Sequence, residues 1–161
     1  MKNKIIEESI RSLQQEGLRF SVDTLAEKLK ISKKTVYKYF PTKEALASAM
    51  YERYYADLKT EIQHLLQKND PAEEELLRCY FDSAKMVRKE IFNKYSLNHV
   101  IGDFAMQHHR DVWNTIKRNL CSEMTDTEAE VYKLILDGAF DRAMDCDVDT
   151  ALLFGMLRKL K

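Results

Sequence analysis

The feature that most constrains this chain is its shortage of turn-forming residues. Its 161 residues include only four glycines and two prolines, whereas β-sandwiches and chains of βαβ units need many more. So few glycines also argue against the glycine-rich loops that bind phosphates in nucleotide enzymes. Apolar residues instead recur every three or four positions, which is the period of an amphipathic helix. The sequence predicts an all-α fold of about nine helices, or eight if the middle is irregular.

Polar residues ahead of the apolar runs predict where the helices begin. We expect N-caps at Ser21, Ser32, Thr42, Asp70, Thr125 and Asp147. Two of these, Asp70 and Thr125, are followed three residues later by glutamate, which is the spacing of a capping box. The stretch 91–102 has no clear helical period, so we predict that the next helix begins at Asp103.

Charge is unevenly distributed although the chain is neutral overall. Residues 1–50 hold 10 Lys/Arg and 6 Asp/Glu, a net charge of +4, and the remaining residues carry −4. The stretch from Lys28 to Lys43 contains six lysines and no acidic residue. A basic N-terminal module on an acidic body is therefore expected.

Residues 21–40 predict two short helices joined at Lys30-Ile31-Ser32. Their apolar residues can form a small core with the first helix, at Leu25, Ala26, Leu29, Ile31, Val36 and Phe40 with Ile6, Ile10 and Leu13. The second helix keeps lysine, hydroxyl and aromatic side chains at its surface. Such a surface suits contact with DNA phosphates and bases. The alternative is a lysine-rich helix that is merely solvated, and the helix-turn-helix spacing favours DNA binding.

The string from Leu25 to Leu46, LAEKLKISKKTVYKYFPTKEAL, closely resembles the DNA-binding signature of the TetR family of bacterial regulators. The resemblance implies a helix-turn-helix domain over 1–46 and a helical effector-binding and dimerisation domain over 47–161. It makes Ser32 to Phe40 the recognition helix, with Phe40 in the core. The implied DNA contacts are phosphates at Tyr37 and Lys43, and the groove at Lys33, Lys34, Thr35, Lys38 and Tyr39. Lys30 stands where the family usually has glycine, so a left-handed turn there would be strained.

The body carries two further sets of candidate residues implied by this resemblance. Aromatic, histidine and methionine side chains are candidates for an effector pocket, namely Tyr80, Met86, Tyr95, His99, Phe104 and Trp113. An aromatic and methionine stripe is core more often than pocket, so both interpretations stay open. The last two helices are candidates for a dimer interface, at Leu136, Gly138, Phe140, Leu152, Gly155 and Met156.

The function implied is a sequence-specific transcriptional repressor that binds a palindromic operator as a homodimer and is released by a small apolar effector. The alternative is a helical ligand-binding or protein-interaction module without specific DNA binding. The four scattered histidines and three distant cysteines match no catalytic or metal-binding motif. We therefore expect no enzyme activity, no metal and no cofactor. Without a signal-peptide or membrane-spanning pattern, we expect a cytoplasmic protein with no membrane partner.

Overall fold

The computed structural model describes residues 1–68 and 73–161, and its regular elements in these two ranges are all helical. A 3-10 turn follows the first helix at Gly17–Arg19. The α-helices are α1 (Lys2–Glu16), α2 (Val22–Leu29), α3 (Lys33–Tyr39), α4 (Lys43–Leu66), α5 (Glu73–Met86), α6 (Lys89–Lys94), α7 (His99–Leu120), α8 (Asp126–Met144) and α9 (Thr150–Arg158). The predicted all-α class is confirmed. The predicted cap at Asp70 lies outside the described residues.

Four of the predicted N-caps are confirmed, at Ser21, Ser32, Thr42 and Thr125. The capping box that begins α8 is complete. The backbone N–H of Thr125 donates to the Glu128 carboxylate at 2.8 Å, and the N–H of Glu128 donates to Thr125 Oγ1 at 3.3 Å. These hydrogen bonds stabilise the charged carboxylate and lower the pKa of Glu128.

Two predicted helix starts were wrong. The cap of α9 is Asp149 rather than Asp147, and its carboxylate accepts a hydrogen bond of 3.1 Å from the Leu152 N–H. The α7 helix begins at His99 rather than Asp103, after the Asn98 side chain accepts a hydrogen bond of 3.1 Å from the Ile101 N–H. The first error chose the wrong one of two nearby aspartates, and the second followed from the stretch 91–102, in which no clear helical period marks the start of α7.

The chain packs as two compact units, and the first comprises residues 1–58 and 85–108. Its N-terminal core contains the predicted Leu25, Val36 and Phe40, which are buried, while Leu29 and Ile31 are half-buried. Elsewhere in this unit the Tyr51 hydroxyl donates a hydrogen bond of 2.6 Å to the Met86 carbonyl oxygen. Tyr51 also stacks on Phe92 with 5.8 Å between ring centroids.

The second unit comprises residues 59–84 and 109–161. Its interior holds an aromatic cluster in which the Phe140 ring centroid lies 4.8 Å from that of Phe81 and 6.2 Å from that of Phe154. Phe140 belongs to α8 and Phe154 to α9, so this contact packs the two helices together. In the described part of the chain, no helix combines the length and apolar character needed to cross a membrane.

Candidate nucleic-acid interface

The turn between α2 and α3 has the tight geometry that a helix-turn-helix requires. Lys30 adopts a left-handed conformation with φ 53° and ψ 43°, at the position where the TetR signature usually has glycine. The Ile31 N–H donates a hydrogen bond of 3.0 Å to the Ala26 carbonyl oxygen, which closes the end of α2. Ser32 then returns to an extended conformation and begins α3. Because lysine has a Cβ, the left-handed backbone at Lys30 costs about 1 kcal/mol.

Apolar side chains fix α3 on one side. Val36 is 1% exposed and Phe40, directly after the helix, is 3% exposed. They belong to the same buried set as Ile5 and Leu25 from the two preceding helices. The orientation of α3 therefore follows from burial, and the rest of its side chains face outward.

The outer surface of α3 consists of the exposed residues Lys34, Tyr37, Lys38 and Tyr39 with the half-exposed Thr35. The rings of Tyr37 and Tyr39 remain 40% and 39% exposed, which is unusual for side chains of this size. Lys43 is also exposed, as the first residue of α4. A surface of cations and phenols without a carboxylate can hold a polyanion by neutralising and hydrogen-bonding its phosphates.

Two of the six lysines are held by carboxylates of the same domain. Lys33 Nζ lies 3.0 Å from the Asp23 carboxylate, a hydrogen bond that raises the pKa of the lysine. Lys28 Nζ forms an ion pair with Glu16 and donates to Ser12 Oγ at 3.0 Å. Within residues 1–68 and 73–161, no carboxylate pairs with Lys34, Lys38 or Lys43. Lys30 is also exposed and likewise has no carboxylate partner among the described residues, so four of the six lysines are available to an incoming anion.

Comparison with known proteins finds a family whose DNA-binding domain matches this part of the chain. Residues 5–50 match the family model described as bacterial regulatory proteins, tetR family. This N-terminal domain belongs to the TetR family. The match covers α1, α2, α3 and the start of α4, which are the elements that form the surface described above.

Two curated relatives resemble the same part of the chain, and both come from Bacillus subtilis (strain 168). The uncharacterised HTH-type transcriptional regulator YvaF is 33% identical over 70 residues, which are 44% of this chain and 36% of that protein. The uncharacterised HTH-type transcriptional regulator YuxN is 40% identical over 74 residues, 44% of this chain and 25% of that protein. The chain therefore spans about a third or less of the length of these relatives.

A solved structure also resembles the chain over most of its length. The multidrug binding protein EbrR, crystallised with imidazole, matches at a TM-score of 0.46 and 19% identity. The match covers 99% of this chain and 93% of that one.

The candidate effector residues fall in both units. Tyr80 and Trp113 come together in the second unit, with ring centroids 5.3 Å apart, and both are buried. The Tyr80 hydroxyl donates a hydrogen bond of 2.7 Å to the Asp137 carboxylate. Burial is the main cause that raises the pKa of Tyr80. The two rings thus belong to an aromatic cluster with polar groups, the Tyr80 hydroxyl and the Asp137 carboxylate, at its edge.

His109 belongs to the same cluster, although it was not among the residues singled out from the sequence. Its ring lies nearly parallel to Tyr80 at 4.9 Å, and its Nδ1 is 2.8 Å from Ser83 Oγ. Burial lowers the pKa of His109 to about 4. Spacing offered a signal, because Tyr80 and Ser83 share one helix face while His109 and Trp113 share another. We call Tyr80, Ser83, His109, Trp113 and Asp137 the Tyr80 cluster.

The other four candidate effector residues lie in the first unit. Met86 is fully buried, whereas His99 and Phe104 are exposed. Tyr95 is half-buried, and its hydroxyl donates a hydrogen bond of 2.6 Å to the Phe20 carbonyl oxygen. That hydrogen bond ties the end of α6 to the segment between α1 and α2, so Tyr95 has a structural partner within its own unit.

The candidate interface residues divide into interior and surface positions. Leu136 and Phe140 are 0% and 1% exposed, so within this chain they are core residues. Leu152 and Met156 are 62% and 60% exposed. A Cβ added at Gly138 or Gly155 would meet no atom within 4 Å, so both glycines face open space.

Three further apolar residues of α8 lie at its surface and were not singled out from the sequence. Val131, Leu134 and Ile135 are 53%, 73% and 42% exposed. With Leu152 and Met156 they form what we call the α8–α9 apolar face. Their spacing of three and four residues puts them on one side of each helix.

Proposed function

We propose that this chain is a transcriptional repressor that binds a palindromic DNA operator as a homodimer and releases it when a small apolar effector binds. The observation that carries the proposal is the outer surface of α3, which presents unpaired lysines and exposed tyrosines on a TetR-family helix-turn-helix domain. A helix of this kind enters the major groove, where phosphate contacts position it and base contacts select the sequence.

The distribution of charge supports specific roles for the lysines. Lys43 is free to neutralise a phosphate, and the unpaired Lys34 and Lys38 are free to contact base edges in the groove. Each neutralised phosphate steepens the dependence of affinity on salt by about 0.9 in logarithmic slope. Lys33 must first break its ion pair with Asp23, so we assign it a smaller contribution to DNA affinity. The exposed hydroxyl of Tyr37 donates a hydrogen bond to a phosphate oxygen.

A dimer is proposed for two reasons. A single recognition helix of seven residues contacts few base pairs, whereas two such helices related by a two-fold axis read two half-sites. The α8–α9 apolar face supplies a surface on which a second copy could pack, and homodimer interfaces are rich in such apolar residues. Gly138 and Gly155 lie beside it with open space above them, which would let partner helices approach closely.

The effector part of the proposal rests on the second unit. Its Tyr80 cluster offers aromatic surfaces together with the Asp137 carboxylate. An effector acts by binding one arrangement of the two recognition helices better than the other, which shifts the population away from the DNA-binding state. Met86, Tyr95, His99 and Phe104 remain proposed ligand contacts on the same grounds as in the sequence.

The test is the loss of DNA binding on removing two proposed phosphate contacts. We expect the double substitution Tyr37→Ala with Lys43→Ala to abolish binding to the operator while leaving the helical content and the dimer intact. Lys59→Ala is the matched control, because Lys59 is an exposed lysine of the second unit. Fluorescence anisotropy with labelled duplex from the region flanking the gene measures both variants.

The two functional alternatives give different results in this experiment. A module whose lysines are merely solvated would bind the duplex weakly, and random duplex would compete equally well. Specific binding that survives the double substitution would show that Tyr37 and Lys43 are not the phosphate contacts.

A further inference from the structure

We infer that Thr35 is a specificity-determining residue that reads the 5-methyl group of a thymine through its own methyl group. The inference rests on the proposed function, since it places the outer surface of α3 in the major groove. Thymine is the base that carries a methyl group in that groove, and a threonine methyl is among the apolar groups that contact it.

The hydroxyl of Thr35 already has a partner inside the protein. Its Oγ1 lies 2.8 Å from Ser32 Oγ, and the same Ser32 oxygen accepts a hydrogen bond of 3.0 Å from the Thr35 backbone N–H. These two contacts hold the side chain to the N-cap of α3 and fix its rotation about the Cα–Cβ bond. The methyl group is then the part of the side chain left without a polar contact.

The side chain of Thr35 is shorter than those of its neighbours on α3, so it extends less far into the groove. Lys38 and Tyr39 follow three and four positions later, so they share its side of α3, and both are exposed. Thr35 itself is half-exposed. Between these longer side chains, a threonine can contact only a group that projects from the base pairs. The thymine methyl group projects in this way.

The chain contains the same cap a second time, which provides an internal control. Ser21 and Thr24 at the start of α2 repeat the spacing of Ser32 and Thr35, with 3.1 Å between their hydroxyl oxygens. Thr24 is half-buried in α2 and lies outside the outer surface of α3. A change at Thr24 therefore alters a cap without altering the proposed base contact.

The experiment combines two substitutions of Thr35 and one control substitution with the removal of single methyl groups from the DNA. Duplexes bound by the full chain are first selected from a random library, and each thymine of the selected sequence is then replaced singly by uracil, which lacks only the methyl group. Affinities are measured for the wild type, Thr35→Ser, Thr35→Val and the control Thr24→Ser. Serine retains the hydroxyl and removes the methyl group, whereas valine retains a methyl group and removes the hydroxyl.

We expect uracil at one thymine of each half-site to weaken wild-type binding about fourfold, the effect of exposing one methyl group. Thr35→Val and Thr24→Ser should show the same loss. Thr35→Ser removes the methyl group from both chains of the proposed dimer, so it should bind the thymine duplex about sixteenfold more weakly than the wild type and should not distinguish thymine from uracil at these positions.

The remaining results contradict the inference and can be told apart. A selected sequence whose uracil substitutions affect Thr35→Ser as much as the wild type shows that another residue reads the methyl group. Loss of discrimination in Thr35→Val but not in Thr35→Ser makes the hydroxyl the reader. If no replacement of thymine by uracil changes the affinity for the selected sequence, the inference about Thr35 is rejected and the proposed function is not. Failure to enrich any sequence rejects the proposed function and, with it, the role of Thr35.

Discussion

At the scale of single residues, the helix-turn-helix domain tolerates one unfavourable backbone conformation. Lys30 is left-handed with φ 53°, a region where a side chain with a Cβ is strained. The hydrogen bonds that end α2 and the burial of Val36 and Phe40 hold it there. The strain is local, so a single substitution can relieve it.

Lys30→Gly should stabilise the first unit by up to about 1 kcal/mol, because glycine adopts the left-handed region without a steric cost. Chemical denaturation measures the change in the free energy of unfolding. Lys38→Gly, in the interior of α3, is the control and should destabilise by about 1 kcal/mol. A loss of stability in Lys30→Gly would contradict the account of this turn.

His109 makes the stability of the second unit depend on pH. Its pKa is lowered to about 4 in the folded protein, below the ordinary value of about 6.5, because burial disfavours the charged ring. The unfolded chain therefore binds more protons than the folded chain between these two values. Stability contributed by the neutral ring is complete above pH 6.5 and is lost as the pH falls towards 4.

We predict that the free energy of unfolding falls by up to about 3 kcal/mol from pH 6.5 to pH 4 through this residue. His109→Gln, which can keep a hydrogen bond to Ser83, should lose that part of the pH dependence. Urea denaturation at several pH values gives the difference between the two proteins. Identical slopes in this pH range would show that His109 is not held neutral.

At the scale of elements, α8 and α9 each present two different faces. Leu136 and Phe140 on one side of α8 are buried, while Val131 and Leu134 on another side remain more than half exposed. The Tyr132 hydroxyl donates a hydrogen bond of 3.5 Å to the Leu157 carbonyl oxygen, so the inner sides of the two helices already have partners. Val131 and Leu134 keep more than half of their surface outside this packing.

Leu134→Glu together with Met156→Glu should convert a dimer to a monomer, because it places carboxylates in the α8–α9 apolar face. Light scattering coupled to size-exclusion chromatography measures the molecular mass. Val100→Glu is the matched control, since Val100 is 64% exposed in the first unit. A dimer that persists in the double variant would place the interface elsewhere.

The elements also show what could be predicted from sequence and what could not. Local chemistry predicted the caps at Ser21 and Thr125, because each depends only on residues three positions away. Which side chains are buried depends instead on packing between residues that are distant in sequence. His109 was not singled out from the sequence because its partners, Tyr80 and Ser83, are distant along the chain. Leu136 and Leu134 are equally apolar, and only the packed unit separates core from surface.

At the scale of the whole molecule, the proposed DNA-binding surface lies in the first 50 residues, and the proposed dimer surface lies in the second unit. The first 50 residues combine a family match, a left-handed turn at Lys30 and a surface whose chemistry fits DNA. The resemblance seen in the sequence implied seven DNA contacts, and all seven side chains are at least partly exposed on α3 or at the start of α4. The second unit supplies an aromatic cluster and an apolar face, from which the effector and the dimer are proposed.

The most direct test of the central claim is the binding of the wild-type protein to duplex DNA from the region flanking its gene. Fluorescence anisotropy at several salt concentrations, with random duplex as competitor, gives affinity, specificity and the number of phosphates contacted. We expect tight binding that resists the competitor, two chains per duplex, and an affinity that falls steeply with salt. Weak binding that random duplex abolishes equally well, in duplexes covering the whole flanking region, would contradict the account.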